Sequence, residues 1–252
     1  MVRKTFVMLC LLSGITSMMA QGQQQQRWDP KSTEWHYPVP PKVKPGKVPG
    51  APPSDAIILF DGKDLSQWES ADRENPGPAE WKVQNGELIV VPGKGTIKTK
   101  EFFGDCQLHI EFKSPSPGPH NGQDRGNSGI MLQSRYEIQV LDGDNNPTYV
   151  NGMVGSVYKQ KAPEVNAYTI NGEWQVYDIY WRGPRFTTGG ELKEPAMVSV
   201  VLNGILIQNN YVLNGSTPYI GLPNYTPHGR MPLTLQDHGT EVAFRNIWIR
   251  NL

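Results

Sequence analysis

Ala196-Met197-Val198-Ser199-Val200-Val201-Leu202-Asn203-Gly204-Ile205-Leu206-Ile207-Gln208-Asn209 consists of two apolar runs joined by an Asn-Gly pair. Asn and Gly both tolerate positive φ, which a two-residue turn needs if it is to follow the twist of its flanking strands. The stretch therefore predicts a β-hairpin. Asn85-Gly86 predicts a second. Working outward, strand-like runs recur at roughly 81–83, 87–91, 96–99, 106–113, 128–133, 136–141, 174–182, 196–202, 205–209, 232–237 and 242–250. No ten-residue stretch keeps a 3.6 period. The 26 Gly, 22 Pro, seven Trp and ten Tyr suit short strands and tight turns. Many strands without βα alternation predict an all-β protein, a two-sheet antiparallel jelly-roll sandwich. Two long segments interrupt the strands, Ser114 to Asn127 and Gly143 to Gly172, and loops of that length usually serve function or are disordered.

The sandwich domain is expected over residues 54–252, beginning where Ile57-Ile58-Leu59-Phe60 runs into Asp61-Gly62. Residues 21–53, with four consecutive glutamines and a Pro/Lys run, read as an extended N-terminal arm able to wrap the domain. Residues 1–20 place Arg3 and Lys4 before the apolar run Phe6 to Leu12 and end in Ser17-Met18-Met19-Ala20, the order of a secretion signal. An exported protein, periplasmic or extracellular, is expected. Cys10, inside the apolar run, lacks the small preceding residue of a lipoprotein site, and Cys106 reads as a small apolar strand residue. The chain carries 24 basic and 24 acidic residues. That balance leaves no basic excess for a phosphate backbone, so nucleic acid is not an expected partner. No apolar stretch reaches the ~20 residues of a membrane span, so no membrane insertion is expected.

The chemistry-bearing stretches are three. In Arg135-Tyr136-Glu137-Ile138-Gln139-Val140 strand alternation turns Tyr136, Ile138 and Val140 to the core and aligns Arg135, Glu137 and Gln139 on the opposite face. In Leu233-Thr234-Leu235-Gln236-Asp237-His238, Gln236 and His238 point away from the core, with Asp237 at the strand end. Asp124-Arg125-Gly126-Asn127-Ser128-Gly129 enters a strand from the first long loop; its glycines permit close backbone approach, and Arg125 and Asn127 can donate to hydroxyls. Tyr158 and Lys159 of the second long loop are placed to cover a bound sugar. His109 reads as a surface residue, His120 and His228 as loop residues able to line a pocket, and Trp174, Trp181 and Trp248 as core aromatics or sugar platforms.

Five stretches carry a resemblance: Leu59-Phe60-Asp61-Gly62-Lys63-Asp64-Leu65 with Trp68, Arg125 to Gly129, Tyr136 to Gln139, Leu235 to Gly239, and Phe244-Arg245-Asn246-Ile247-Trp248. In order, and over nearly all of residues 54–252, the chain resembles the 3-keto-disaccharide hydrolase domain family of the concanavalin-like lectin/glucanase fold. The resemblance implies an enzyme acting on small-molecule carbohydrates, glycosides whose glucose C3 is a ketone. Such a ketone acidifies the C2 hydrogen, so the C1 substituent can leave by β-elimination, and later addition of water makes the net result hydrolysis. On this expectation Glu137 is the base and His238 protonates the leaving oxygen, oriented by Asp237. Arg125, Asn127, Arg135, Gln139, Gln236 and Tyr158 hold hydroxyls or the oxyanion. Two alternatives stand beside it. Glu137, Asp237 and His238 are also fit ligands for a divalent cation, although no close-spaced ligand motif is present. The same polar row would equally suit a non-catalytic, lectin-like binding module. An ordinary glucanase is disfavoured, because Glu137 has no second carboxylate on its strand face.

The leader predicts a mature N-terminus near Gln21. Intact-mass measurement of the protein recovered from its producing cell checks this, and a retained Met1 or an acylated Cys10 contradicts it.

Overall fold

The computed structural model describes residues 29–115 and 120–252. The expected leader, its cleavage point and Cys10 lie outside the described residues. Among the described residues fifteen strands run in chain order: β1 (Ile57–Phe60), β2 (Trp68–Ser70), β3 (Lys82–Gln84), β4 (Glu87–Ile89), β5 (Ile97–Phe103), β6 (Cys106–Lys113), β7 (Ser128–Leu132), β8 (Tyr136–Val140), β9 (Gln175–Arg182), β10 (Arg185–Phe186), β11 (Leu192–Glu194), β12 (Met197–Leu202), β13 (Ile205–Val212), β14 (Met231–Leu235) and β15 (Ala243–Asn251). An eight-stranded sheet has the order β13-β12-β9-β6-β15-β4-β3, with β1 also on β15. A five-stranded sheet has the order β2-β5-β14-β7-β8. The pairings are antiparallel. Side chains of the two sheets meet in one core, where Tyr136 of β8 lies 5.0 Å from Trp181 of β9, centroid to centroid, and the Tyr177 hydroxyl donates to the Gln139 carbonyl (2.9 Å). The result is the expected antiparallel jelly-roll sandwich.

Both Asn-Gly pairs form the expected turns: φ is 54° and 79° at Asn85-Gly86, and 52° and 81° at Asn203-Gly204. Four strands are not among the runs that alternation revealed: β1, whose four residues are all apolar and so carry no alternation, and β2, β10 and β11, whose three, two and three residues are too few to display a period of two. The compact unit containing the sandwich spans Val43–Leu252, so the last part of the expected arm belongs to it. Within the preceding unit, Pro30–Thr33 forms a 3-10 turn capped by the Asp29 side chain, which accepts from the Lys31 N–H at 3.0 Å. Cys106 is buried on β6, and burial, with the neighbouring Asp105 charge, pushes its thiol up to about 12. No described helix is long and apolar enough to cross a membrane.

His109 departs from its expected surface position and is buried. Strand β6 lies between β9 and β15 in the middle of the larger sheet, and residues near Gly50 lie over its outer face. The Gly50 carbonyl accepts from Asn246 Nδ2 and Trp248 Nε1, each at 2.9 Å, and a Cβ at Gly50, where φ is 78°, would come within 3.2 Å of the His109 ring. His109 stacks on Trp248 (centroids 5.1 Å, planes 8° apart), and its Nδ1 lies 2.7 Å from Asp178 Oδ1. Glu111 completes the cluster, accepting from Arg245 Nε at 2.6 Å and Asn246 Nδ2 at 2.8 Å. Polar alternation here marks an ion cluster that is partly covered by the chain, with His109 buried at its centre while Asp178 and Arg245 reach solvent. Trp248 is therefore part of this cluster, and Trp174 lies between Lys113 Nζ (4.6 Å) and the Arg245 guanidinium (4.1 Å).

Burial disfavours the charged His109 ring, but the hydrogen bond to Asp178 and the nearby Glu111 carboxylate outweigh it and raise the ring to about 9. Between the ordinary 6.5 and 9 the folded state thus binds more protons than the unfolded chain, so this contribution is full below pH 6.5 and fades as pH rises through 9. Denaturant unfolding of wild type and His109→Asn at pH 6 and pH 9.5 should show the variant losing less stability than wild type over that interval.

Candidate active site

On the face of the smaller sheet away from the core is a cavity of about 280 Å3, lined by Asn127, Met131, Glu137, Gln139, Tyr158, Thr217, Tyr219, Gln236 and His238. Three adjacent strands or strand ends supply it. Met131 comes from β7 and Glu137 and Gln139 from β8, while Gln236 and His238 follow β14. Tyr158 comes from the second long loop, and Thr217 and Tyr219 from the segment between β13 and β14. The structure therefore brings together six of the nine expected site residues: Glu137, Gln139, Asn127, Tyr158, Gln236 and His238.

Glu137 is only 5% exposed. Its N–H donates to Thr217 Oγ1 (3.0 Å) and its carbonyl accepts from the Tyr158 N–H (3.1 Å), so β8 and two loops locate it through its backbone. The side chain lies over Gly129, where an added Cβ would overlap a carboxyl oxygen. Among the described residues no side chain or backbone group hydrogen-bonds to the carboxyl group. Burial without a compensating cation or donor pushes the carboxyl up to about 8. The whole of β8 is buried, including the face expected to be open, because Gly155 N–H donates to the Gln139 carbonyl (3.1 Å) and Gln139 N–H to the Ser156 carbonyl (3.0 Å).

The amides of the wall are held from behind. Gln139 Nε2 donates to Gln123 Oε1 (3.0 Å) and to the Gly152 carbonyl (3.2 Å), and Asn127 Nδ2 donates to the Gln123 carbonyl (2.7 Å). Gln123 itself donates to Thr148 Oγ1 and to the Gly152 carbonyl, each at 2.8 Å. The other amide oxygens, Asn127 Oδ1 and Gln139 Oε1, are buried without a donor. Gln236 and His238 make no side-chain hydrogen bond among the described residues, and His238 is exposed at the rim. The wall thus combines one high-pKa carboxyl, unpartnered acceptors and the unpaired side chains of Gln236 and His238. Alternation on β7 places Met131 on the same face as Gly129, so sequence parity contained a signal for it. Thr217, Tyr219 and Gln123 lie in irregular segments and have no such signal.

Three expected residues lie elsewhere. Arg125 is not in the cavity: its Nε pairs with the fully buried Asp142 at 2.9 Å, and its Nη2 donates to the Asp144 carbonyl. The partly buried guanidinium goes to a fully buried carboxylate because that charge does not tolerate desolvation alone, and its bond to the Asp144 carbonyl joins the two long loops. Arg135 stands before β8, after a turn whose residues Gln133 and Ser134 take φ of 50° and 54°, and its Nε approaches Met231 Sδ at 3.5 Å. Asp237 accepts from the N–H groups of Gly93, Gly95 and Gly239, all at 2.9 Å, and so clamps a turn rather than orienting His238. Glu137, Asp237 and His238 do not converge as a metal set, and among the described residues no group of three His, Cys, Asp or Glu does. His120 is exposed, and His228 accepts from the Tyr136 hydroxyl (Nε2, 2.8 Å) beside a separate cleft. Trp181 is a core residue. Lys159 Nζ donates to the Tyr219 carbonyl (2.7 Å) at the cavity mouth.

A family model described as a 3-keto-alpha-glucoside-1,2-lyase-like domain matches residues 55–250. The crystal structure of a candidate glycosyl hydrolase from Parabacteroides distasonis is 48% identical, with a TM-score of 0.83 over 89% of this chain and 97% of that one. Two further proteins of that organism, also candidate glycosyl hydrolases, are each 21% identical with TM-scores of 0.59 and 0.55 and share the fold. They cover 79% and 78% of this chain, and 94% and 99% of theirs. No curated protein sequence matches the chain.

The raised Glu137 carboxyl has a thermodynamic signature. From its ordinary 4.5 up to about 8 the folded state holds a proton that the unfolded chain has lost, so this contribution is full below pH 4.5 and is lost as pH rises through 8. The stability of Glu137→Gln relative to wild type should rise across that window by roughly 1.4 kcal/mol per pH unit. Denaturant unfolding of both proteins at pH 5, 6.5 and 8 checks it.

Proposed function

The chain belongs to the 3-keto-alpha-glucoside-1,2-lyase-like family, and from that premise we propose that its cavity cleaves glycosides carrying a ketone at glucose C3, with Glu137 as the base. The observation that carries the reading is a single buried carboxyl, unpaired and raised to about 8, as the only carboxylate among the described residues that line the cavity. A glycosidase of the ordinary kind divides its work between two carboxyl groups, and this wall supplies one. Elimination needs one strong base. A carboxylate near pKa 8 takes a carbon-bound proton more readily than one at 4.5.

The steps follow from the wall. Glu137 removes the C2 proton, and the electron pair moves through the C3 enolate. Gln236 and His238 are free side-chain donors for that oxygen or its neighbouring hydroxyls, and Arg125 and Arg135, also expected in that role, do not line the cavity. The pair then forms the C1=C2 bond as the C1–O bond breaks. Water adds to C1 of the resulting enone, and protonated Glu137 returns its proton to C2. Atoms balance as the hydrolysis of one glycosidic bond. Asn127 Oδ1 and Gln139 Oε1, buried without donors, suit a ligand rich in hydroxyl groups. The volume is at the small end of ligand cavities, fitting one sugar ring inside with the leaving group at the mouth. Export to the periplasm or beyond belongs to the same reading and rests on the leader sequence.

The test compares a 3-keto glucoside with its unoxidised parent. Turnover of the former alone is expected, with kcat/KM rising about tenfold per pH unit up to about 8 as Glu137 ionises. Glu137→Gln should lower kcat by ~10²–10⁴-fold and retain sugar affinity. Equal rates on both substrates would return the site to a conventional glycosidase. Binding without turnover would make it a lectin-like module.

A further inference from the structure

The reading above leaves the leaving oxygen without a named proton donor. We infer that Tyr158 is that acid and that Tyr149 is its link to solvent, the two hydroxyls forming a short proton relay from the cavity to the surface. The inference rests on the proposed elimination chemistry and on four observations of the loop Tyr149–Lys161.

Tyr158 lines the cavity with Glu137 and is 8% exposed, while Tyr149 is 39% exposed, and their hydroxyl oxygens are 2.8 Å apart. One end of the pair therefore faces bound sugar and the other faces water. The Tyr158 N–H donates to the Glu137 carbonyl, so base and acid are fixed to one another through a single backbone hydrogen bond of 3.1 Å. The Tyr149 ring lies on Gly152, where an added Cβ would overlap it, and Gly152 presents its carbonyl to Gln139 and Gln123. Lys159, held at φ 57° with its Nζ on the Tyr219 carbonyl, keeps a positive charge 5.8 Å from the Tyr158 ring and 5.7 Å from the Tyr149 ring. A cation at that distance favours the transient tyrosinate. His238, by contrast, is exposed at the rim with no partner among the described residues to orient it.

The relay balances. When the C1–O bond breaks, its electron pair stays on the leaving oxygen, which takes the Tyr158 proton. Tyrosinate at 158 takes the Tyr149 proton, and Tyr149 is reprotonated from water. The hydroxide left from that water, or its equivalent from bulk, is the species that completes addition at C1. Burial and the neighbouring Tyr149 hydroxyl and Glu137 charge raise Tyr158, so it is an acid only toward a strongly basic alkoxide and stays protonated until the bond breaks.

The test uses two 3-keto glucosides differing only in leaving group, an alkyl alcohol and 4-nitrophenol. Nitrophenolate departs without a proton. Tyr158→Phe should therefore lose at least ~10²-fold in kcat on the alkyl substrate and less than ~10-fold on the nitrophenyl one. Tyr149→Phe should show the same asymmetry with a smaller loss, and His238→Asn should show none. Wild type should turn over the two substrates at similar rates, a measurement that needs no variant to fold. Equal losses of Tyr158→Phe on both substrates, asymmetry confined to His238→Asn, or a steep leaving-group dependence of wild type each overturns the relay and leaves the base assignment intact. If wild type turns over neither substrate, the elimination reading itself falls and takes the relay with it.

Discussion

Strand β8 is an edge of the five-stranded sheet, and an edge leaves a row of N–H and C=O groups that must find partners. Residues 155–158 take that row, through the Gly155 N–H, the Ser156 carbonyl and the Tyr158 N–H, with Val157 bridged to Ile138. Everything at the candidate site depends on this pairing. It covers the polar face of β8, removes Glu137 from water, sets Tyr158 beside it, and leaves between loop and strand the space of one small cavity. Had the edge stayed open, the same glutamate would be a solvated surface residue with an ordinary pKa.

Two glutamates on strands show how far environment decides chemistry. Glu111 on β6 is half enclosed, yet the nearby His109 ring and hydrogen bonds from Asn246 and Arg245 outweigh its burial and hold it down to about 2. Glu137 on β8 has burial and no such partner, and rises to about 8. The first is an anchor within a charge cluster that fastens the segment around Gly50 to the sheet. The second is a group whose proton can move near neutral pH. Identical residue types differ here by which groups surround them, the expected behaviour of carboxyls under competing desolvation and pairing.

The placement of cations follows the same rule. Arg125 could serve a ligand only if Asp142 were free, but Asp142 is fully buried and also accepts from Asn171 and from the Asp144 N–H. Their pair holds the two long loops in register, and those loops supply Gln123, Asn127 and Tyr158 to the site. Arg125 thus bears on the cavity through loop position and does not line it. Among the described residues that line the cavity no Arg, Lys or second carboxylate accompanies Glu137, and burial alone raises it.

Much of the fold was legible in the sequence, because its signals are local. An Asn-Gly pair needs only its own two residues to take positive φ, and strand parity needs only the backbone's period of two, so the two hairpins and the shared face of Glu137 and Gln139 followed from residue order. The membership of the site was legible only in part. Glu137, Gln139, Gln236, His238, Asn127 and Tyr158 converge as expected, whereas Arg125, Arg135, Asp237 and His109 do not serve where their residue type suggested. The partners of a charged side chain, such as Asp142 for Arg125 or three glycine N–H groups for Asp237, are chosen by long-range packing that no local period encodes. Thr217, Tyr219, Gln123 and Tyr149 arrive on irregular loops for the same reason. The sequence by itself determined most of the strands and the alternation that sets Glu137 and Gln139 on one face; the tertiary structure decided that Glu137 is buried and uncompensated, because burial belongs to whatever the rest of the chain lays over it.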